Sequence, residues 1–294
     1  MPPLSITASY IFMPMEKDDL PDLHSELIAF GMSRALQGLV LIAPEGINST
    51  VAGSAEAIAE WKAYLTARFG EIVSRDSSAD ENIFKRWSVK IKPEIVGIKN
   101  TNLRPHGKHR HLTPEQWQQM LAEEDVVVLD ARNAYEVAIG KFRAAVDPGI
   151  SMFHQFPNWV KTCDIPKSKK VLMYCTGGIR CEKALLAMEA EGYNDVYQLE
   201  GGILGYLARF PRADFAGECF VFDHRVAVDQ DLRPSTAYDI CPHCGEPGYL
   251  LITCACGAQQ RVCAECAEED AGETCSKRCR NELRIEHCRQ NTCI

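Results

Sequence analysis

The stretch KVLMYCTGGIRCEKALLAMEA, residues 170–190, constrains the fold more than any other part of the chain. Residues 171–174 form a continuous apolar run, two glycines follow, and helical spacing of Ala184, Leu185 and Met188 begins a few residues later. A buried strand that passes through a tight turn into a helix is the repeating unit of a parallel sheet, whose ligands sit at the carboxyl ends of its strands. Similar apolar runs at 126–129 and 196–199, the latter closed by Gly201-Gly202, supply further strands. The expectation is a parallel-sheet α/β domain over residues 118–215, with a helix from about 181 to 191 and Cys175 at the ligand-binding end of a strand.

Cys175, Thr176, Gly177, Gly178, Ile179 and Arg180 form the loop. Its glycines tolerate positive φ, so the backbone can curl until several N–H groups point inward and make a nest for an anion. The positive end of the following helix adds to that field. Such surroundings favour thiolate over thiol at Cys175, or an anionic sulfur adduct on it. Four residues separate Cys175 from Arg180, one fewer than a phosphate-sized loop requires, which suits sulfur chemistry. Arg180 closes the loop and offers a cationic donor. Cys181 reads as either a packing residue or a resolving thiol, Asp130 and Arg132 as loop support through an ion pair, Tyr135 and Glu136 as scaffold, and Cys219 as structural.

Upstream, the residues alternate between strand and helix periods. Apolar strands are expected at 9–13, 38–43, 48–52 and 87–91. Helices are expected at 18–30, with Leu20, Leu23, Leu27 and Phe30 on one face, and after the N-cap Ser54, with Ile58, Trp61, Leu65 and Phe69 on one face and Gly70 ending it. The order β-α-β-β-α-β over residues 1–95 is that of a ferredoxin-like α+β domain. Residues 96–117, rich in proline and histidine, read as a basic linker.

Cysteine is confined to the second half. None of the 14 precedes Cys163, and ten lie between Cys241 and Cys293. Without a leader-like N-terminus, that density reads as metal binding in a reducing compartment rather than as a disulfide scaffold. Within residues 216–294 the pairs Cys241/Cys244, Cys254/Cys256, Cys263/Cys266 and Cys275/Cys279 supply eight thiolates, enough for two four-cysteine zinc sites of structural type. The spacing leaves their pairing open, and His243, His287, Cys288 or Cys293 could replace a ligand.

The formal charge of −8 argues against a nucleic-acid coat protein, yet it hides a basic strip. Lys85, Arg86, Lys90, Lys92, Lys99, Arg104, Lys108 and Arg110 are opposed only by Glu94, and His106, His109 and His111 lie in the same region. Such a strip can neutralise phosphates, or it can be a solvated linker. Trp87 and Phe84 could stack on a base but suit a core better. No apolar run is long enough for a membrane helix, so a cytoplasmic protein is expected. The sequence sets no oligomeric state.

The loop, together with Asp130-Ala131-Arg132 and Glu136, resembles a rhodanese domain. Longer strings are more specific: DARNAYEVAIGKF (130–142), YCTGGIRCEKA (174–184), YQLEGGIL (197–204), GECFVFDHRVAV (217–228) and PEGINST (44–50) resemble the rhodanese-related tRNA uridine 5-hydroxylase family. The resemblance implies oxygen-dependent hydroxylation of the wobble uridine in the tRNA anticodon, with molecular oxygen as co-substrate and the first loop residue, Cys175, as the essential cysteine. No flavin or redox-metal signature accompanies it. Two other readings use the same residues: a sulfurtransferase carrying sulfur as a Cys175 persulfide, and a zinc-bearing RNA-binding module.

Overall fold

The computed structural model describes residues 4–79, 83–100, 102–105, 110–123, 125–268 and 274–290, without the side chains of 73 and 284–290. It divides into two compact units, residues 1–219 with 230–233, and residues 220–229 with 234–294.

The first unit opens with strand β1 (Leu4–Phe12), helix α1 (Leu20–Ser33), strands β2 (Gln37–Ala43) and β3 (Gly46–Gly53), helix α2 (Ala55–Phe69), and strands β4 (Val73–Ala79) and β5 (Trp87–Ile91). They form one sheet in the order β4-β1-β3-β2-β5, antiparallel except for β5, which runs parallel to β2. The first four strands of that order make the ferredoxin-like arrangement. Its fourth strand is β4, however, whereas the sequence suggested residues 87–91. Strand β4 reads VSRDSSA and carries almost no apolar signal, being an edge strand held by backbone pairing to β1. Residues 87–91 instead extend the opposite edge.

Apolar residues on one face of the sheet, including Val40, Ile42, Ile47 and Val51, pack against Leu23 and Leu27 of α1 and Trp61 and Leu65 of α2. Ser54 caps α2 by accepting the Ala57 N–H. The other face carries Ile6, Ala8 and Tyr10 of β1, and register places Arg75 of β4 beside Ala8. Strand residues alternate between faces, so Tyr10 and Arg75 share the helix-free side.

The parallel sheet follows: β6 (His111–Leu112), α3 (Pro114–Met120), β7 (Val126–Asp130), α4 (Ala134–Ile139), β8 (Gly140–Phe142), α5 (Phe156–Thr162), β9 (Lys170–Tyr174), α6 (Ile179–Ala190), β10 (Val196–Leu199), α7 (Gly202–Leu207) and β11 (Phe215–Gly217). The four-stranded order is β6-β10-β9-β7, all parallel, and β8 pairs with β11 apart from it. The sheet therefore takes in His111 and Leu112, inside the stretch read as linker, and α3 also begins there. Two residues are too few to show strand periodicity, and their place comes from pairing with Gln198 and Leu199. Strand β9 is an inner strand, buried from Val171 to Tyr174, and its carboxyl end delivers Cys175.

The second unit contains short hairpins, among them 250–253 paired with 259–262, and helices Ala264–Glu268 and Lys277–Gln290. Its apolar cluster consists of Cys241, Val262, Cys263 and Cys266 with half-buried Ile252 and Ala267. So small a core rarely holds a fold alone. No helix among the described residues is long and apolar enough to cross a membrane.

Candidate active site and metal centres

Cys175 sits at the end of β9 with no exposed surface. Its Sγ accepts a hydrogen bond from the Gly178 N–H at 3.1 Å. Gly178, at φ +101°, turns the chain left-handed into α6, a conformation that side chains with a Cβ rarely adopt. The loop is fixed from behind by α7, whose Ile203 and Leu204 N–H groups donate to the carbonyl oxygens of Cys175 and Thr176 at 2.9 and 3.2 Å. A Cβ on Gly202 would lie 2.4 Å from the Cys175 oxygen, so only glycine permits this approach.

Burial opposes ionisation of Cys175 more than any other single influence. The Cys181 thiol, the Arg180 charge and the N–H groups of Cys181 and Arg180 together outweigh it, lowering the thiol to about 6. Cys181 shows the reverse. It is fully buried and beside an anionic sulfur, so its own proton is held far more tightly than in an ordinary thiol. Cys181 thus serves as a hydrogen-bond donor to its neighbour. Burial likewise pushes Cys219 up to about 12, which leaves it an inert thiol.

Arg180 is not turned toward a vacant nest. Its guanidinium pairs with buried Glu136 through bonds of 2.5 and 2.7 Å and donates to Thr176 Oγ1 at 3.3 Å. Burial raises the Glu136 carboxyl, but Arg180 and Arg132 outweigh this, so the pair stays ionised. Arg180 therefore acts on Cys175 through its charge while anchoring the loop to α4. Asp130 and Arg132 form a second fully buried pair, with the Arg132 Nη2 also donating to the Gly140 oxygen at 2.6 Å. That pair braces β7 against β8 below the loop.

Several residues beside the loop carried no local signal in the sequence. The Tyr10 hydroxyl donates to Glu182 Oε1 at 3.1 Å and lies 3.0 Å from where a Gly178 Cβ would be. His111 Nε2 lies 3.2 Å from the same Glu182 oxygen. Burial, Glu182 and Cys175 all hold the Tyr10 proton well above the usual phenol range. Lys183 of α6 is wholly buried between Glu45 and Glu94 at 2.8 and 2.7 Å. Glu45, from the PEGINST string, thereby ties the N-terminal sheet to the helix that carries the loop. These partners lie far apart in sequence, and only the fold brings them together.

The basic residues Lys85, Arg86, Lys90, Lys92, Lys99, Arg104 and Arg110 are all exposed, whereas Lys108, His106 and His109 fall outside the described residues. Lys92 and Arg104, with Lys17 and Glu45, line an open cavity of about 560 Å³. Trp87 is taken up by packing: its ring covers Gly31 and its N–H donates to the Leu27 oxygen at 3.1 Å. Phe84 packs against the small cluster around Ile6 and Ile83.

In the second unit the eight cysteines form two interleaved groups, Cys241, Cys244, Cys263 and Cys266, and Cys254, Cys256, Cys275 and Cys279, with the sulfurs of each within 4.8 Å of one another. Cys244–Cys263 and Cys256–Cys275 separations are 3.5 and 3.6 Å. A tetrahedron with metal–sulfur bonds of about 2.3 Å has edges of roughly 3.8 Å, so both groups match a four-thiolate site for a zinc-like ion. First and third pairs share one group, second and fourth the other, an order that spacing alone left open. His243 belongs to neither group; its Nε2 contacts the Thr274 oxygen at 2.7 Å. The side chains of His287, Cys288 and Cys293 lie outside the described residues.

Comparison with known proteins places these parts. Residues 4–95 match the UPF0176 acylphosphatase like domain, 113–209 the Rhodanese-like domain and 216–280 the Rhodanase C-terminal family. A tRNA uridine(34) hydroxylase of Bdellovibrio bacteriovorus is 43% identical over 286 residues, which cover 95% of this chain and 81% of that protein. Proteins of the same name from Synechocystis sp. and Deinococcus radiodurans are 44% and 43% identical, covering 78% and 83% of this chain and 84% and 82% of theirs.

Proposed function

Because the chain belongs to the tRNA uridine(34) hydroxylase family, we propose that it hydroxylates C5 of the wobble uridine of tRNA, with the Cys175 sulfur as the reacting atom. The observation that carries this reading is the Cys175 sulfur, which accepts the Gly178 N–H at a strand end beside Cys181 and Arg180, surroundings that lower its thiol to about 6. C5 of uridine is a poor site for oxygen insertion until the ring is made electron-rich. Addition of the thiolate to C6 forms an S–C6 bond and moves the C5–C6 π pair onto C5 as an enolate. Oxygen is then joined at C5. Loss of the C5 proton and departure of Cys175 restore the ring and the thiolate. Molecular oxygen supplies the inserted atom, and its second atom leaves as water with two electrons and two protons from a thiol-type reductant.

The basic residues from Lys85 to Arg110 supply phosphate contacts to the anticodon region, whose unstacked bases are open to reading. Each cysteine group holds one structural zinc, which orders the hairpins and helices around it and takes no part in electron transfer, because zinc is redox-silent. Residues 1–95 act as one domain, the parallel-sheet domain that takes in β6 and α3 from His111 onward as a second, and the cysteine-rich residues after 219 as a third, and a tRNA substrate implies work in the cytoplasm.

The test is nucleoside analysis of an unmodified tRNA transcript incubated with the full chain under labelled dioxygen, under nitrogen, and with Cys175→Ser. Labelled 5-hydroxyuridine should appear only with the wild-type chain in oxygen. Full product from Cys175→Ser would remove this sulfur from the chemistry. Efficient sulfur transfer from thiosulfate to cyanide, with no hydroxylated product, would favour the sulfurtransferase.

A further inference from the structure

The rhodanese-type loop supplies the sulfur but few groups that could hold an RNA chain, since Arg180 is committed to Glu136 and Thr176. The other wall comes from the N-terminal sheet. On its helix-free face, β1 brings Tyr10 to Gly178, and the adjacent β4 brings Arg75 to Gly201. A Cβ on Gly201 would lie 2.2 Å from Arg75 Nε and 2.4 Å from Nη2. The guanidinium edge that can make two parallel hydrogen bonds is thus turned onto the turn beside the catalytic loop. Gly201 N in turn lies 3.8 Å from where a Gly178 Cβ would be.

Arg75 lacks what a structural arginine at such a place has. Its Nε is buried without a hydrogen-bond partner, and it has no carboxylate within ion-pair distance among the described residues; its one hydrogen bond runs from Nη1 to the Ser74 oxygen at 3.3 Å. The two buried arginines of the rhodanese-type domain, Arg132 and Arg180, are both paired with carboxylates. A buried Nε–H without an acceptor is costly, and the cost is removed when a ligand brings one. Gly201 and Gly205 place backbone beside the guanidinium; the adjacent Asp76 shares its field but bonds to Lys62 and Thr7, so a ligand phosphate would supply the acceptor that Nε lacks.

We propose that Arg75 is a substrate-binding residue of the Cys175 site and holds a phosphate of the substrate tRNA beside Gly201. The inference rests on the functional reading above and adds a contact from the N-terminal sheet, outside the basic strip. The acylphosphatase-like sheet then contributes directly to the active site.

The experiment uses the full chain and an unmodified tRNA transcript, with wild type, Arg75→Ala and Arg75→Lys. Arg75→Ala should raise KM roughly 10-fold or more, the equivalent of one charge-assisted hydrogen-bonded contact, and leave kcat within a few-fold. The slope of log affinity against log salt should fall by about 0.7, one single-strand phosphate's share. Arg75→Lys should keep the salt slope and recover part of the affinity, because it keeps the charge without the planar fork. The titration midpoint of Cys175 should be the same in all three proteins. Unchanged KM and salt slope in Arg75→Ala overturn the proposal. So does a joint loss of kcat and KM with a displaced Cys175 midpoint, which would mark Arg75 as scaffold. Wild-type protein that neither binds nor hydroxylates the transcript overturns the functional reading first and this one with it.

Discussion

Cys175 illustrates how one residue's chemistry follows from opposing influences. Full burial alone would raise its thiol above the free value, and the neighbouring donors reverse that to about 6. A thiol whose folded value lies below its unfolded value stabilises the fold when ionised. That contribution is complete above the unfolded value of about 8.5, shrinks as pH falls, and is gone below about 6. The stability difference between the wild-type chain and Cys175→Ser, followed by denaturant unfolding, should therefore widen as pH rises from 6 to 9. Glu136 gives a second prediction at this scale. Glu136→Gln would leave the buried Arg180 charge without its partner, at a cost of about 3–5 kcal/mol. The loss should show as a lower unfolding midpoint, and the uncompensated Arg180 charge should lower the Cys175 midpoint further.

At the scale of elements, the join between the N-terminal sheet and α6 depends on Lys183. With no exposed surface, it satisfies Glu45 and Glu94 together. Lys183→Met would fit the space but strand two carboxylates, so a loss of about 3–5 kcal/mol is expected. Hydrogen exchange should rise in β1 and at the amino end of α6, where Tyr10 meets Glu182. This junction was beyond the reach of the sequence. Strand β9, the glycine turn and α6 were legible because apolar runs, Gly178 and helical spacing lie side by side in the chain. Strands β4 and β6 were not, since one is polar and the other two residues long, and both owe their existence to distant pairing partners. Tyr10 and Glu182 are 172 residues apart, Lys183 and Glu94 89 apart. Periodicity says nothing about such pairs. The PEGINST string pointed to Glu45 only through a resemblance, without revealing its partner.

For the whole molecule, one zinc in each cysteine group, as proposed, would make the second unit depend on metal more than on its small apolar cluster. Two zinc ions per chain should be found by elemental analysis. Their removal by a strong chelator should unfold the hairpins and helices around the two cysteine groups, because structural zinc binding is worth about 10–16 kcal/mol at neutral pH. Limited proteolysis should then cut within these elements while the first unit stays intact. Retention of the native cleavage pattern without metal would contradict the assignment. The spacing of the cysteines marked the eight candidate thiols, whereas their interleaved grouping required the hairpin 250–253/259–262 to bring Cys263 and Cys266 back to Cys241 and Cys244.

The account stands or falls on the ionisation of one sulfur. Its most direct test is the pH dependence of thiolate absorbance or of the cysteine ¹³Cβ shift, with Cys175→Ser subtracted to isolate the residue; both work on a buried group without reagent access. The prediction is a single transition near 6 that makes Cys175 mostly anionic at neutral pH. A transition near the ordinary thiol value of about 8.5, or none below it, would contradict the central claim.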